Sequence, residues 1–352
     1  METTPKDRKR GAGTESERRP TLSDVARIAQ VSTATASRAL SNPGLVSAKT
    51  RTAVMDAAER ADYRPNLMAR SLRTQQAHAI IVLVPALDNP FYPEIIKGME
   101  SAAHARGYSL TLGITSHDSA RENSYIELVR TQRADGLMIL DGGLTHLLGG
   151  AAGFTVPTVQ VIERITGVDL PYVKIDDRAA ANKATRHLID LGHTRIGHIS
   201  GLARYSVTPD RIEGYRQALE AAGIAFDPAL VEPGDFIVSS GEAAAKTLMQ
   251  LKNQPTALFC GNDDSAIGAL RHLRDLGLRV PDDISVVGFD DTPIAMAADP
   301  PLTTLRQPRY EIGVTAMTML LDILAGTAGV ETARLMPVDM ILRESTAPLK
   351  RR

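Results

Sequence analysis

The chain has few of the features that mark membrane or disulfide-bonded proteins. Its single cysteine, Cys260, excludes an internal disulfide, and the apolar segment TALFCG around it predicts a buried strand residue rather than a nucleophile. No apolar run approaches the roughly 20 residues that a helix needs to cross a bilayer. At 352 residues and 43% hydrophobic content, the composition predicts a soluble globular protein of two or three domains.

The first 20 residues also lack an apolar segment. METTPKDRKRGAGTESERRP is rich in charge and has no hydrophobic core of the kind that a signal peptide contains. Such a composition cannot bury enough apolar surface to fold alone. We therefore expect residues 1–20 to form a disordered arm and the protein to remain in the cytoplasm.

Sequence patterns that mark common enzymes are missing as well. The chain has no G-x-x-x-x-G-K-[ST] phosphate loop, no G-x-S-x-G nucleophile turn, no H-E-x-x-H motif and no paired cysteines. His187, His193 and His198 fall on a predicted helix, loop and strand, so they are not expected to share a metal ion. The sequence therefore predicts a protein that is not an enzyme and that holds no cofactor and no metal.

Positive charge is concentrated at the front of the chain. Residues 1–78 hold 14 Lys and Arg against 8 Asp and Glu, whereas the remainder holds 26 against 33. Attraction to phosphate is therefore confined to the first segment. This distribution favours a nucleic-acid-binding head on a neutral to acidic body.

Residues 21–40, TLSDVARIAQVSTATASRAL, predict two short helices joined by a tight turn. Thr21 caps the first helix, and Asp24 lies in the first turn, where a carboxylate suits the positive end of the helix dipole. Ser32 caps a second helix over about Thr33 to Leu40. Any small helical hairpin would also fit this pattern.

The outward side of the second helix has the composition of a DNA-reading surface. With Ala36 and Leu40 predicted to point inward, the outer side carries small hydroxyl residues and one arginine. Such a helix fits deep in a major groove, where threonine reaches base edges and arginine reaches guanine or phosphate. The candidate DNA contacts in this segment are Thr21, Ser32, Thr33, Ala34, Thr35, Ser37 and Arg38.

A third helix and a short conditional helix follow. Ser47 is predicted to cap a helix over about Ala48 to Ala61, which closes a helix-turn-helix domain at residues 21–65. Asn66 then caps a helix of about seven residues, which is too short to be stable alone and forms only when DNA and a partner subunit contact it. We expect residues 66–78 to be this hinge helix and its linker; a plain linker is the alternative.

These signals, taken in order, resemble the DNA-binding head and hinge of LacI-type bacterial repressors. The shared motifs are Asp-Val-Ala in the first helix, Val-Ser before the second, Ser-Arg within it, Val-Ser-x-x-Thr-Arg at 46–51, and Tyr-x-Pro-Asn before the hinge. The resemblance implies that Leu72 wedges into a minor-groove base step while Arg73 contacts the groove or backbone. Its candidate DNA contacts in the hinge are Asn66, Ala69, Leu72 and Arg73.

From residue 79 onward, short β-rich runs alternate with amphipathic segments. AIIVLV at 79–84 and TALFC at 256–260 are examples of the predicted strands. This alternation indicates an α/β fold with parallel sheets, and its length suggests two doubly wound lobes over residues 79–347. The family resemblance extends through this body, which is similar to periplasmic sugar-binding proteins. It implies crossings near residues 177, 307 and 337, with lobe 1 at about 79–177 and 308–336 and lobe 2 at about 178–307 and 337–347.

Several polar and aromatic residues follow the predicted strands. Ligands of open parallel sheets meet residues just past the carboxyl ends of strands, and carboxylates, amides and guanidinium groups hold sugar hydroxyls. Arg211 is predicted to begin a helix after a loop. Each residue also has a structural explanation as core, cap or helix start. The candidate effector contacts, most of them also implied by the resemblance, are Phe91, Tyr92, Glu163, Arg211, Phe236, Asn262, Asp263 and Asp290.

The resemblance implies a transcriptional repressor that binds a pseudo-palindromic operator as a homodimer. VSTATASRALSNP, PPLTTLRQPRYEIG and ARLM at 333–336 are similar to family members that respond to nucleosides. They imply a nucleoside such as cytidine as effector, and cooperation with the cyclic-AMP receptor protein. The alternatives are a sugar effector, a solute-binding protein without gene control, and an enzyme of nucleoside or sugar metabolism on the same fold.

Overall fold

The computed structural model describes residues 20–64, 76–142, 156–165 and 167–350. The chain divides into two compact units between Gln75 and Gln76. We call the first unit the head and the second the body. The predicted hinge helix, with its candidate contacts Asn66, Ala69, Leu72 and Arg73, lies outside the described residues.

Within residues 20–64, the head contains three α-helices and one short 3-10 turn. Its helices are α1 (Leu22–Ile28), α2 (Thr33–Ser41) and α3 (Ala48–Arg60), and the 3-10 turn covers Pro43–Leu45. The break between α1 and α2 occurs at Gln30, which has a left-handed φ of 54°, and Val31 N donates to Ala26 O across it. This closes α1 in the manner of a Schellman turn.

The head has a small core built mostly from alanine and valine. Its buried members are Val25, Ala26, Ala36, Ala39, Val54, Ala57 and Ala58. Tyr63 packs against this cluster. Leu40, which was predicted to point inward with Ala36, is half-buried and packs against the cluster, and Ala39 is buried as well.

The body contains twelve strands and eight helices within the described residues. The strands are β1 (Ala79–Val84), β2 (Ser109–Ile114), β3 (Gly136–Ile139), β4 (Thr158–Val161), β5 (Tyr172–Ile175), β6 (Ile196–Ser200), β7 (Val231–Pro233), β8 (Ala257–Cys260), β9 (Ser285–Val287), β10 (Thr304–Arg306), β11 (Ala333–Met336) and β12 (Asp339–Ile341). The helices are α4 (Tyr92–Ala105), α5 (Ser119–Arg130), α6 (Asp177–Asp190), α7 (Val207–Ala221), α8 (Val238–Met249), α9 (Asp263–Asp275), α10 (Pro293–Ala297) and α11 (Arg309–Leu324).

The body strands form two parallel sheets and one antiparallel pair. The larger sheet has the order β11-β5-β4-β3-β1-β2, the smaller has the order β7-β6-β8-β9, and β10 pairs with β12. We call the layers around the larger sheet the first lobe and those around the smaller sheet the second lobe. The prediction of an α/β fold with two doubly wound, parallel-sheet lobes is confirmed.

The chain passes between the lobes at three places. The first lies between Ile175, which ends β5, and Asp177, which begins α6. The other two lie between β10 and α11, and between β11 and β12. Polar side chains at these passages therefore stand where the two lobes meet.

Helices α4 and α11 of the first lobe pack at close range through glycine. A Cβ atom added to Gly98 would overlap the backbone of Tyr310, and one added to Gly313 would overlap the backbone of Ile95. The same helix α11 carries apolar side chains that are buried in the core, namely Met317, Met319, Leu320 and Leu321. Glycine at both positions lets the two backbones approach.

Cys260 ends β8 and is fully buried, in agreement with its sequence context. Burial raises the pKa of its thiol. None of the described helices combines the length and the apolar composition that crossing a membrane requires.

Candidate functional site

Helix α2 presents a polar outer surface to solvent. Its cap residue Ser32 and its members Thr33, Ala34 and Arg38 are exposed, whereas Thr35 and Ser37 are half-buried. Ser32 Oγ accepts from Thr35 N at 3.1 Å, which stabilises the first turn. Arg38 Nε donates to Ala34 O at 3.3 Å, and its guanidinium stays exposed. The geometry supplies hydroxyls, methyl groups and one cation on a single exposed face.

Thr21 is placed at the start of α1 rather than on this face. Its backbone N and its Oγ1 both donate to Asp24 Oδ2, at 2.9 and 2.7 Å. Thr21 is therefore the N-cap of α1, as predicted, and Asp24 completes a capping box. Thr21 is half-buried, and its hydroxyl group donates its proton to Asp24 within the head.

The body contains a cavity between the two lobes that encloses about 460 Å³, counting the space at its mouth. Seven of the eight effector candidates line it, and Asp263 does not. Further lining residues that the sequence reasoning missed are Asn89, Ile162, Asp177, Val207 and Gln307. Two of them, Asp177 and Gln307, closely follow strands β5 and β10, so the strand-end rule offered a signal for both.

The first lobe contributes two aromatic rings at the start of α4. Phe91 and Tyr92 are both 8% exposed, and their rings meet edge to face at a centroid distance of 5.6 Å. Asn89 Oδ1 accepts from Phe91 N at 2.9 Å and so fixes the turn before the helix. Burial, with Glu163 and Asp141 nearby, raises the pKa of Tyr92 well above its ordinary value, so the phenol is a neutral donor.

Arg211 projects from α7 into the second-lobe wall and is almost fully enclosed. Its Nε and one terminal nitrogen donate to Asp177 Oδ1 at 3.0 and 2.9 Å, and the other terminal nitrogen donates to Gly261 O at 2.6 Å. The guanidinium carbon lies 3.8 Å from the centre of the Phe289 ring. This stacking and the two acceptors hold the cation in one orientation.

The predicted start of this helix was wrong by one turn. α7 begins at Val207, so Arg211 lies in its second turn rather than at its beginning. Pro209 lies in the first turn, where a helix tolerates proline because the missing N–H would have no partner there.

Asp290 follows β9 with an unusual backbone. Its φ is 107°, and that of Asp291 is 53°, so two successive non-glycine residues have positive φ. Asp290 Oδ1 accepts from Gln307 Nε2 at 2.7 Å. Burial raises the pKa of Asp290 to about 8, Arg211 opposes this increase and Asp263 adds to it.

Glu163 follows β4 and reaches across to the second lobe. Its Oε2 accepts from Ser206 N at 3.0 Å and from Ser206 Oγ at 3.2 Å. Burial raises the pKa of Glu163 to about 7, the hydrogen bonds from Ser206 lower it, and Asp141 and Asp177 raise it further. The carboxyl therefore titrates near neutral pH.

Asn262 and Phe236 form one unit on the second lobe. Asn262 Oδ1 accepts from Ser265 N at 2.9 Å and caps α9, while its Nδ2 donates to Phe236 O at 2.9 Å. Phe236 has a left-handed φ of 58°. The amide thus holds the ring at the cavity wall.

Asp263 was predicted to contact the ligand, and the structure places it elsewhere. Its carboxylate accepts from Thr292 N at 2.7 Å and from Thr304 Oγ1 at 2.6 Å. Both carboxylate oxygens are used inside the second lobe, and burial raises the pKa of Asp263 to about 6 despite these bonds. The residue joins α9 to two later segments and lies behind the cavity wall.

The three histidines considered for a metal have separate surroundings. His187 contacts Thr346 Oγ1 at 3.1 Å, and His193 contacts Thr256, Ser285 and Ala347. His198 lies between the rings of Tyr215 and Phe259, and burial lowers its pKa to about 4. The three histidine rings therefore contact different sets of neighbours in the second lobe.

The cavity combines aromatic walls with an excess of carboxyl groups. Glu163, Asp177 and Asp290 line it together with the single guanidinium of Arg211, which Asp177 already pairs. A negatively charged ligand would find no unpaired cation among these lining residues. An uncharged ligand with several hydroxyls would find acceptors, donors and rings to pack on.

Comparisons with known proteins agree with this arrangement. The family described as "Bacterial regulatory proteins, lacI family" matches residues 21–66. The family described as "Periplasmic binding protein-like domain" matches residues 185–346.

Full-length relatives cover nearly the whole chain. It is 40% identical over 330 residues to the HTH-type transcriptional repressor CytR of Escherichia coli K12, covering 94% of this chain and 97% of that protein. It is 36% identical over 324 residues to the ribose operon repressor of the same organism, covering 91% and 98%. The crystal structure of the lac repressor dimer bound to operator and the anti-inducer ONPF has a TM-score of 0.84 at 30% identity, covering 94% of this chain and 100% of that one. The chain therefore belongs to the LacI family of bacterial regulatory proteins, as a DNA-binding transcriptional repressor with an effector-binding body.

Proposed function

We propose that the protein acts as a homodimer on a pseudo-palindromic operator, with α2 of each head in the major groove of one half-site. The exposed face of Ser32, Thr33, Ala34 and Arg38 supports this, since it offers small donors and one cation to base edges. The similar lac repressor structure is a dimer bound to operator. Two-fold protein symmetry would then match the symmetry of the DNA site.

The proposed hinge covers residues 66–78 and connects the head to the body. Asn66, Ala69, Leu72 and Arg73 are proposed to contact the minor groove when the segment becomes helical on the operator. A change in the angle between the lobes would alter the spacing of the two hinges in the dimer, and so the DNA affinity. Because linkage is reciprocal, an effector that weakens operator binding must itself bind more weakly to the DNA-bound repressor.

The cavity is proposed to bind a nucleoside such as cytidine. The observation that carries this proposal is the convergence of Phe91, Tyr92 and Phe236 with Arg211 and Asp290 around one space. A base can pack between the rings while ribose hydroxyls donate to the carboxyls. The resemblance of VSTATASRALSNP and PPLTTLRQPRYEIG to family members that respond to nucleosides supports the same ligand class.

The charged groups that line the cavity distinguish a nucleoside from its phosphate ester. Among the described residues that line the cavity, Arg211 is the one cation and Asp177 already pairs it, so a phosphate ester would find no free cation and the site is suited to the nucleoside itself. A sugar is the second candidate, favoured by the similarity to the ribose operon repressor. A free sugar would leave part of the aromatic wall without a partner.

We further propose that the protein binds its effector without chemical turnover and acts in the cytoplasm, where its DNA target lies. Cooperation with the cyclic-AMP receptor protein is part of the same proposal. Co-binding of the two proteins on one promoter fragment, compared with each alone, tests it.

Calorimetric titration of the full-length protein with cytidine, cytidine 5′-monophosphate, cytosine and ribose tests the ligand class. We expect cytidine to bind and the monophosphate to bind at least tenfold more weakly. Asp290→Asn should weaken cytidine binding, whereas Asp88→Asn, an exposed aspartate outside the cavity lining, should not. Binding of ribose without binding of cytidine would reject the nucleoside proposal and support the sugar proposal. Binding of none of the four compounds would reject both proposals.

Operator binding is tested separately by selection of bound fragments from fragmented genomic DNA, followed by anisotropy titration of the best fragment. The slope of affinity against salt should be steeply negative, because the head is basic and contacts phosphates. Equal affinity for the selected fragment and a scrambled duplex would contradict the proposed reading of sequence by α2.

A further inference from the structure

We propose that the contact between Glu163 and Ser206 is a latch that fastens the two lobes over the cavity, and that it fastens more firmly as the pH falls. Glu163 acts here as a positioning residue, because it holds the start of α7 and thereby Arg211 one turn later. The consequence for effector binding depends on the proposed role of the cavity. The closure itself does not, because it can be measured without a ligand.

The contact joins the lobes at backbone level. Glu163 and Arg164 follow β4 of the first lobe, and Ser206 directly precedes α7 of the second lobe. Glu163 Oε2 accepts from Ser206 N at 3.0 Å and from its Oγ at 3.2 Å. Ser206 Oγ in turn accepts from Arg164 N at 3.1 Å. Opening the lobes would break all three hydrogen bonds together.

The helix that begins at Ser206 strengthens the contact. No side chain of the local segment caps α7, and Glu163 supplies a carboxylate to its N-terminal end from the other lobe. The helix dipole and the hydrogen bond from Ser206 N favour the charged carboxyl, so they oppose, without cancelling, the increase in pKa that burial causes. Glu163 therefore takes the place of a capping residue for α7, although it belongs to the other lobe.

A neighbouring residue of the same loop makes a second contact across the cleft. The ring of Tyr205 lies 6.2 Å from that of His117, which follows β2 of the first lobe. His117 Nδ1 is 3.2 Å from Asp141 Oδ2. Residues 205 and 206 thus both contact the first lobe, so the loop that contains them joins the lobes at two neighbouring positions.

The closed position confines the Glu163 carboxyl. Only 8% of the residue is exposed, and Gly142 lies so close that a Cβ there would overlap the carboxyl group. The charged and titratable groups around it come from four elements: Asp141 after β3, Asp177 on α6, Tyr92 on α4 and Arg211 on α7. Two of these are carboxylates, so a charged Glu163 is disfavoured in the closed state.

The direction of the pH effect follows from this burial. In the closed state burial raises the pKa of Glu163 to about 7, whereas a solvated glutamate has a value of 4.5. The closed state therefore binds more protons between these values, and falling pH favours closure. Oε2 still accepts from Ser206 when the proton sits on Oε1. Between pH 8 and pH 6 the ratio of closed to open protein should rise about tenfold.

Lobe closure can be measured on ligand-free, full-length protein with two spin labels. Ser119→Cys and Ser239→Cys place labels at exposed positions of the first and second lobes, and the native Cys260 is fully buried and will not react. Dilution with unlabelled protein keeps one labelled chain in each dimer. Pulsed dipolar spectroscopy at pH 6, 7 and 8 then gives the populations of short and long distances.

Four proteins separate the latch from a general effect of pH. The unmodified sequence should shift towards the short distance as the pH falls, and Glu127→Gln, an exposed glutamate outside the cavity lining, should behave identically. Glu163→Gln keeps an acceptor without a charge, so it should stay closed across the range. Glu163→Ala should be more open at every pH and lose most of the pH response.

An unchanged distance distribution between pH 6 and pH 8 in the unmodified sequence would overturn the proposal. So would a full pH response in Glu163→Gln, which would assign the effect to another group such as Asp290. Cytidine titration at the same pH values is a separate readout. If closure follows the pH but cytidine fails to bind, the latch stands and the nucleoside proposal fails.

Discussion

Arg211 donates two hydrogen bonds to one oxygen of Asp177, from Nε at 3.0 Å and from a terminal nitrogen at 2.9 Å. The other oxygen, Oδ2, lies 3.4 Å from Lys174 Nζ on β5. Lys174 also lies 3.6 Å from Asp210 on α7. One carboxylate at the first passage between the lobes thus connects the cavity cation to a lysine of the opposite lobe. Burial raises the pKa of Asp177, and Arg211 and Lys174 oppose that increase.

Asp177→Ala should destabilise the body by about 3–5 kcal/mol, because it leaves the buried Arg211 without its counter-charge. Urea denaturation of the body transition measures this loss. Glu331→Ala, which breaks the exposed ion pair with Arg334 at 2.9 Å, is the matched control and should cost less than about 1 kcal/mol. Equal losses in the two variants would show that the buried pair contributes no more than a surface pair.

The layout of the body could be predicted from the sequence because it depends on local periodicity. Alternating apolar strands and amphipathic helices specify parallel sheets, and the strand-end rule then gathers residues as distant as Phe91 and Asp290 at one cavity. The direction of each side chain could not be predicted. Asp263 turns away because Thr292 and Thr304, which lie 29 and 41 residues later, donate hydrogen bonds to its carboxylate.

The partner of Asp177 could not be predicted from the sequence either. The pair Asp176 and Asp177 reads as the start of a helix, and Asp176 does cap α6 by accepting from Ala179 N at 2.9 Å. Asp177 points to Arg211, which is 34 residues away. Two adjacent carboxylates therefore have different partners, and only the packing of α6 on α7 decides which one faces the cavity.

Asp290→Asn should reduce the loss of stability at alkaline pH. Burial raises the folded-state pKa of Asp290 to about 8, above its ordinary value of 3.8. A carboxyl with a raised folded pKa contributes stability that is fully present below the unfolded value and is lost as the pH rises through the folded value. Thermal unfolding at pH 5, 7 and 9 should therefore show a smaller fall in Tm for the variant than for the unmodified sequence.

Glu163 has a raised pKa of about 7, so part of the fall in Tm should remain in Asp290→Asn and disappear only in the double variant with Glu163→Gln. Asp88→Asn is the control, since Asp88 is exposed. An Asp290→Asn profile parallel to that of the unmodified sequence would contradict the assignment.

Ser32→Ala and Ser47→Ala should cost the head similar stability but differ in DNA binding. Each serine accepts from the backbone N three residues later, at 3.1 Å for Ser32 and 3.2 Å for Ser47, and loss of such a cap costs about 1 kcal/mol. Ser32 precedes the proposed recognition helix, whereas Ser47 precedes α3. Thermal unfolding measures the first effect, and anisotropy with operator and scrambled duplexes measures the second. Equal loss of selectivity would argue against α2 as the reading element.

Gly313→Ala should destabilise the first lobe strongly, because the added methyl group would overlap the backbone of Ile95 on α4. The helices must separate, and overpacking of a tight core costs typically about 1–3 kcal/mol or more. Gly44→Ala has no heavy atom within 4 Å of the added carbon and serves as the control. Denaturant unfolding should give a lower midpoint for Gly313→Ala alone; an unchanged midpoint would show that α4 and α11 can shift without cost.

Arg38 and Arg60 offer a matched test of how the head reads DNA. Both are exposed, and each donates from Nε to the carbonyl four residues earlier, at 3.3 Å for Arg38 and 3.2 Å for Arg60. They differ in position, since Arg38 lies on α2 and Arg60 ends α3. Arg38→Ala should cost about 1–3 kcal/mol in operator binding and reduce discrimination against a scrambled duplex.

Arg60→Ala, in contrast, should weaken binding to both duplexes equally or leave it unchanged, because a phosphate contact carries no sequence information. Anisotropy titrations at three salt concentrations separate the two outcomes, since a lost phosphate contact also lowers the salt slope. If Arg60→Ala lost discrimination and Arg38→Ala retained it, α2 could not be the helix that reads the bases. The effector in the body would then control a head that binds DNA through a different face.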